Sequence, residues 1–256
     1  MENRFRLYGK APYKVVLVHG GPAAWGEMAP VAKHLSSLCG IFEPFQTCPT
    51  LDGQIYELRD LIESKVEFPA ILIGHSWGAW LSFLFTARFP TLVNKLILVG
   101  SGPFQQNYAE NINFTRLGRM SPDEKKIYWD IMESLQNDSN ESLNSKILQL
   151  GELCNRIDQF KPIYYNDPDS KVALPLKRLD FFNQNLLEVI EMRKNGKLLD
   201  LLSSISIPVV AIHGDFDPHP FEGVRDPLSS RLSKFKFYLL HKCGHTPWLE
   251  THASHE

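Results

Sequence analysis

The chain is short of cysteine, of long apolar runs and of any excess of one charge, and each shortage removes a class of protein. Its four cysteines, Cys39, Cys48, Cys154 and Cys243, show no metal-ligand spacing and no close pair. That argues against a zinc module or a disulfide-stapled domain, and for free thiols in a reducing compartment. No apolar run is long enough to span a bilayer, and the N-terminus has no signal-peptide core. A soluble, cytoplasmic protein without a membrane partner is therefore expected. Lysine and arginine total 27 against 29 acidic residues, for a formal net charge of -2. That balance leaves no electrostatic case for nucleic acid. There is no internal repeat and no low-complexity tract. What remains is 256 residues, 43% of them hydrophobic, which suits one large domain or a core with an insertion.

The most informative stretch is Ile71-Leu72-Ile73-Gly74-His75-Ser76-Trp77-Gly78-Ala79. An apolar run ends in Gly-x-Ser-x-Gly and a helical pattern starts at once. A serine hydroxyl is a weak nucleophile and must project from a tight strand-to-helix turn to reach a substrate. Such a turn strains the serine backbone and leaves no room for side chains at Gly74 and Gly78. The following helix aims its N-terminal N–H groups where negative charge would develop.

Ahead of this turn, Phe5, Leu7 and Tyr8 alternate, which allows one edge strand. Lys14–Val18 is β-branched and reads as a buried parallel strand. It runs into His19-Gly20-Gly21-Pro22-Ala23, where glycines let the backbone approach a ligand. Gly21 N–H and Trp77 N–H are the candidate oxyanion donors; a plain strand-to-helix loop is the competing reading of this glycine run. Trp25–Leu38 and Leu51–Val66 have helical periodicity, with a short strand expected over Ile41–Phe45. Ala79–Phe89 is apolar nearly all round, as in a helix buried beside a sheet. Lys95–Val99 is the next strand. This alternation predicts a parallel sheet covered on both faces, with the functional site at the strand carboxyl ends.

From about Phe104 to Ser206 the alternation stops. Helical patterns cover Pro122–Leu135, Leu143–Ile157 and Asp180–Met192. Ser121-Pro122-Asp123-Glu124 is a helix start, with a serine cap, proline and acids in the first turn. This stretch reads as a helical insertion folded over the sheet's carboxyl edge. Its aromatics suit an apolar pocket; Trp25, Phe104, Trp129 and Tyr164 are the candidate lining residues, against the alternative that they pack the protein together.

Strand character returns at Ile207–His213, followed by Gly214-Asp215-Phe216-Asp217-Pro218-His219. A carboxylate here can orient a histidine, and Asp215 and Asp217 both qualify. A helical segment, Glu222–Leu232, and a strand, Phe235–Leu240, lead to Cys243-Gly244-His245-Thr246-Pro247. Of the nine histidines, His245 lies one strand after the acid and is the candidate base. His75 precedes the serine and should face away from its hydroxyl, and His19 should brace the glycine loop.

Taken together, His19-Gly20-Gly21-Pro22-Ala23, Gly74-His75-Ser76-Trp77-Gly78, Gly214-Asp215-Phe216-Asp217 and Cys243-Gly244-His245-Thr246-Pro247 resemble the α/β-hydrolase fold with a helical cap. The resemblance covers about residues 14–102 and 207–250. It implies a core over 1–103 and 207–256 and a cap over 104–206. It implies a Ser76, Asp217, His245 triad, since the family's Gly-x-x-Asp pattern places the acid at 217. Within the superfamily, His-Gly-Gly-Pro and Gly-x-Ser-Trp-Gly are similar to prolyl iminopeptidases and related amidases and esterases, although those peptidases usually have glycine where Ala23 stands. The expected activity is a serine hydrolase acting on a small ester, amide or peptide. An aminopeptidase would need a buried cap carboxylate, for which Glu133, Glu152, Glu188 and Glu191 are candidates. A ligand-binding protein or a cofactor-free lyase on the same scaffold is the alternative. No metal or organic cofactor is implied, although His213, Asp215, Asp217 and His219 cluster in sequence. A serine at position 76 argues against the dehalogenase and epoxide hydrolase chemistry that uses aspartate there in this fold. No motif indicates an oligomeric state.

Overall fold

The computed structural model describes residues 4–21, 24–137, 142–163, 167–170 and 180–253. Among the described residues, seven strands form one sheet in the order β1-β3-β2-β4-β5-β6-β7. They are β1 (Phe5–Tyr8), β2 (Tyr13–Val18), β3 (Gly40–Pro44), β4 (Val66–His75), β5 (Val93–Val99), β6 (Val209–Gly214) and β7 (Phe235–Leu240). Only β1 is antiparallel, pairing with β3 at the edge. The others are parallel, with register shifts at Tyr13/Val15 and Ala70/Ile71, and toward their ends Val18 lies opposite Gly74, Gly74 opposite Leu98, and Gly214 opposite Leu240. Parallel pairing requires a crossover between strands, and here helices supply it. The strand carboxyl ends therefore share one edge.

Helices α1 (Ala29–Leu35), α2 (Leu51–Glu63), α3 (Trp77–Arg88) and α9 (Glu222–Ser229) join the strands of this core. Thr50 caps α2 by accepting from Gly53 N–H at 3.1 Å, which satisfies one of the helix's orphan donors. The apolar face of α2, including Ile55, Leu58 and Ile62, joins Leu72, Leu81, Phe83 and Leu96 in the main hydrophobic core. Residues 77–86 of α3 are all buried, which explains its lack of a polar face. A buried leucine such as Leu81 or Leu96 stabilises the fold by about 1.5–3 kcal/mol through transfer alone.

Between β5 and β6 lie α4 (Ile112–Arg119), α5 (Pro122–Asn137), α6 (Ser142–Ile157), α7 (Asp180–Lys194) and α8 (Lys197–Asp200). The start of α5 is a capping box: Glu124 N–H donates to Ser121 Oγ at 3.3 Å, and Ser121 N–H donates to the Glu124 carboxylate at 2.7 Å. Met120, Tyr128, Leu153 and Ile157 form a separate small core for this segment. The expected helices occur with shifts at their ends, whereas α4 and α8 were not anticipated. Helix α1 is shorter than its periodicity suggests, and strand β4 runs from Val66 to His75, back beyond the apolar run at Ile71.

Candidate active site

Ser76 sits between β4 and α3 with φ 52° and ψ -115°. A non-glycine residue at positive φ is strained, and the surrounding packing holds it there. Its neighbours show why glycine flanks it. A Cβ on Gly74 would fall 2.1 Å from Gly78 O, and one on Gly78 would fall 2.2 Å from Val18 O.

The loops after β6 and β7 bring two further groups to this turn. His245 Nε2 lies 2.9 Å from Ser76 Oγ, and His245 Nδ1 lies 2.7 Å from Asp217 Oδ2. Asp217, not Asp215, faces the imidazole. Asp215 instead meets exposed His241 at 3.1 Å and Cys243 N–H.

Asp217 is buried and fully hydrogen-bonded. Oδ1 accepts from the His219 backbone N–H at 2.9 Å and from His219 Nδ1 at 2.8 Å. Oδ2 accepts from His245 and lies 3.3 Å from His213 Nε2. His213 Nε2 also donates to His219 O at 2.9 Å, while its Nδ1 is buried without a partner, so the ring carries its proton on Nε2. Burial by itself would raise the Asp217 carboxyl. Three imidazoles, His245 first, outweigh burial and hold it well below the ordinary carboxylate value. Burial pulls His245 down, but the Asp217 charge overcomes it and the net shift is upward. His213 is shifted down by burial.

The glycine loop is fixed from behind. Glu27 accepts the Gly20 N–H and lies 2.7 Å from His75 Nδ1. His75 Nε2 in turn donates to the His245 carbonyl at 3.0 Å. His75 thus faces away from the serine hydroxyl, as expected, and supports the backbone of His245. The pairing of Glu27 with His75 was not legible in the sequence, since 48 residues separate them and no motif marks Glu27. Gly21 lies against Trp77: a Cβ on Gly21 would meet Trp77 Cβ at 3.1 Å. Trp77 is the first residue of α3, so its N–H has no acceptor within the helix. His19 is buried behind the loop with its Nδ1 2.5 Å from Gly20 O.

His245 is also held by the helical segment. His245 N–H donates to Asp158 O at 3.0 Å. The Asp158 carboxylate is clamped by Arg116 of α4 at 2.6–3.1 Å. Buried Glu250 accepts from Phe160, Lys161 and Gly244 N–H groups at 2.6, 2.7 and 2.8 Å. Sequence reading missed this carboxylate, because only the fold shows which backbone donors surround it.

The candidate pocket residues are dispersed. Phe104 is wholly buried in the main core, edge-on to Phe83. Trp129 is 56% exposed and packs on Tyr128. Both are corrections: helical and strand-end spacing identified them as aromatic, not which face they occupy. Trp25 is buried edge-on to His19 and donates to Gln46 O at 3.1 Å, so it backs the glycine loop. Tyr164 lies outside the described residues. Glu133, Glu152, Glu188 and Glu191 are all exposed, which corrects the expectation of a buried amine-binding carboxylate among them. Asp217, His219 and His245 offer ligand atoms within 4.8 Å of one another, but the Asp217 oxygens are already met by N–H donors. Among the described residues no helix is long and apolar enough to cross a membrane.

A model of the alpha/beta hydrolase family matches residues 15–255, and the chain belongs to that family. It is 34% identical over 67 residues to the strigolactone esterase RMS3 of Pisum sativum, a match spanning 26% of this chain and 25% of that protein. Among solved structures it resembles the lipase candidate Lip1 of Acinetobacter baumannii, with TM-score 0.70, 18% identity, and 97% and 82% of the two chains covered. It also resembles the epoxide hydrolase CorEH, with TM-score 0.66, 19% identity, and 96% and 89% covered. A third similar structure is CarC, a serine hydrolase involved in carbazole degradation, with TM-score 0.59, 18% identity, and 96% and 88% covered. At these identities the structures show the fold.

Proposed function

We propose that this protein is a serine hydrolase that cleaves a small ester through an acyl-enzyme on Ser76. The observation that carries the reading is the unbroken chain from Ser76 Oγ through His245 to Asp217, with links of 2.9 and 2.7 Å, on a strained strand-to-helix turn. In this reading His245 Nε2 takes the Ser76 proton as Oγ attacks the carbonyl carbon. The Gly21 and Trp77 N–H groups receive the developing oxyanion, and each such donor is worth about 2.7–4 kcal/mol in enzymes of this kind. His245 then protonates the departing alcohol. Water, deprotonated by His245, releases the acid and restores Ser76. Residues 104–206 act as a cap over the carboxyl edge of a core formed by 1–103 and 207–256.

Two features favour an ester over the N-terminal residue of a peptide. The four cap glutamates considered for binding an amine are exposed, and the likeness to a strigolactone esterase and a lipase candidate points to ester chemistry. The test is hydrolysis of two chromogenic panels, acyl esters and aminoacyl anilides, by wild type and Ser76→Ala. Ester turnover lost in the variant is expected. Anilide turnover would move the assignment to an aminopeptidase. No Ser76-dependent turnover, together with no fluorophosphonate labelling of Ser76, would overturn it in favour of a binding protein.

A further inference from the structure

We propose that His219 Nε2 is a substrate-binding acceptor beside the triad, so that the site selects esters with a hydroxyl or amine donor close to the scissile carbonyl. The inference rests on the serine-hydrolase reading above and deepens it.

The ring of His219 is held by two bonds to one oxygen. Its backbone N–H and its Nδ1 both meet Asp217 Oδ1, at 2.9 and 2.8 Å. A carboxylate held ionised only accepts, so Nδ1 carries the proton and Nε2 presents a lone pair. The Asp217 side chain is wholly buried, whereas that of His219 is 17% exposed. With Nδ1 turned inward, the exposed part of the ring is its distal edge, which includes Nε2. The His219 ring lies beside that of His245, with centroids 4.9 Å apart and planes 33° apart. Both rings hang from the same carboxylate by Nδ1, which sets them side by side. The distal edge of His245 meets Ser76 Oγ, and in this proposal that of His219, the neighbouring ring, opens beside it.

Among the described residues, His219 Nε2 has no hydrogen-bond partner. Burial lowers the ring's proton affinity more than Asp217 raises it, to a pKa of about 4, so at neutral pH Nε2 remains an acceptor. Closing a substrate over an acceptor with no donor leaves that acceptor desolvated and unpaired, which weakens binding. A hydroxyl or amine N–H removes that cost, whereas an ether or carboxylate oxygen meets it lone pair to lone pair. If packing alone were required here, an apolar side chain would serve, because the backbone N–H of residue 219 already reaches Oδ1.

Matched chromogenic esters test this: 2-hydroxyacyl against 2-methoxyacyl, 2-hydroxyethyl against 2-methoxyethyl, and an unsubstituted ester. In wild type, kcat/KM is expected to favour the hydroxyl member of at least one pair by about tenfold or more. That ratio should collapse toward one in His219→Phe and in His219→Asn, which keeps a short donor near Asp217. Reading a ratio within each variant separates recognition from a general loss of activity. A wild-type ratio near one for both pairs, with the unsubstituted ester still turned over, would overturn this inference alone. So would a preference that survives in His219→Asn, which decides the matter even if His219→Phe does not fold. Loss of Ser76-dependent turnover on every ester would instead overturn the serine-hydrolase reading, and this inference with it.

Discussion

Two regions of this molecule bury a carboxylate, with opposite results. Around Asp217, at the ends of β6 and β7, four N–H contacts converge on one side chain, and three imidazoles hold it ionised. At Glu43, on β3 near the sheet edge, Tyr8 donates at 2.8 Å to one oxygen while the other is buried without a partner. Burial pushes the Glu43 carboxyl up to about 7. The two sites are equally dry; the difference lies in the donors supplied to each carboxylate. Glu27 stands between them, shifted up by burial but carried below its ordinary value by His75. A buried acid becomes a fixed charge only where the fold has also delivered donors to it.

The largest break in this comparison is Asp217→Asn. It removes the charge that keeps His245 in the productive tautomer, and kcat should fall by about ten-thousandfold. The pH profile sharpens the point. Because the net shift of His245 is upward, wild-type kcat/KM should be lost as pH falls through a value above the ordinary imidazole pKa of about 6.5. In Asp217→Asn the lowering by burial is opposed by Asp158 alone, so any residual activity should keep its acid limb at lower pH.

Glu43 should show the opposite linkage, in stability rather than rate. Its folded pKa of about 7 exceeds the ordinary 4.5, so between those values the folded state holds more proton than the unfolded state. Stability should therefore fall as pH rises through this window, by up to about 1.4 kcal/mol per pH unit. Urea unfolding at pH 5 and pH 8 measures it. Glu43→Gln should flatten the dependence, and an unchanged slope in that variant would assign it to other groups.

Glu27→Gln should have the smallest effect. It weakens the pairing with His75 and the hold on Gly20 N–H, and should cost about 1–2 kcal/mol in denaturant stability. Its kcat should fall far less than that of Asp217→Asn, because His75 bonds the backbone carbonyl of His245 and packs beside its ring without a hydrogen bond to the imidazole. A loss of activity as large as that of the Asp217 variant would show that Glu27 belongs to the chemistry itself.

What was legible in the sequence follows the reach of each signal. The strained turn at Ser76, β7 and the capping box at Ser121 are written in neighbouring residues, and they appear where expected. The choice of Asp217 over Asp215 came from a family spacing, and the structure shows its cause: the two side chains leave the loop toward different histidines. Glu27 with His75, and Glu250 with three backbone donors, depend on contacts between distant segments, which no local pattern encodes. Phe104 and Trp129 were misplaced because periodicity marks a residue as apolar without saying what covers it. His219 carried a local signal: two residues beyond the acid, its backbone and ring could both turn back on the same carboxylate.

The carboxylate of Glu250 has a consequence for how this architecture can be recombined. It gathers one amide from the loop that carries His245 and two from the end of the helical segment. Exchange of that segment for a relative's, at junctions in the β5 and β6 loops, looks permissible on a topology diagram. It would nevertheless leave His245 hanging from a latch whose other half had been discarded. A transplanted segment would have to bring its own counterpart of residues 158–161, so the smallest exchangeable unit is larger than the strand order suggests.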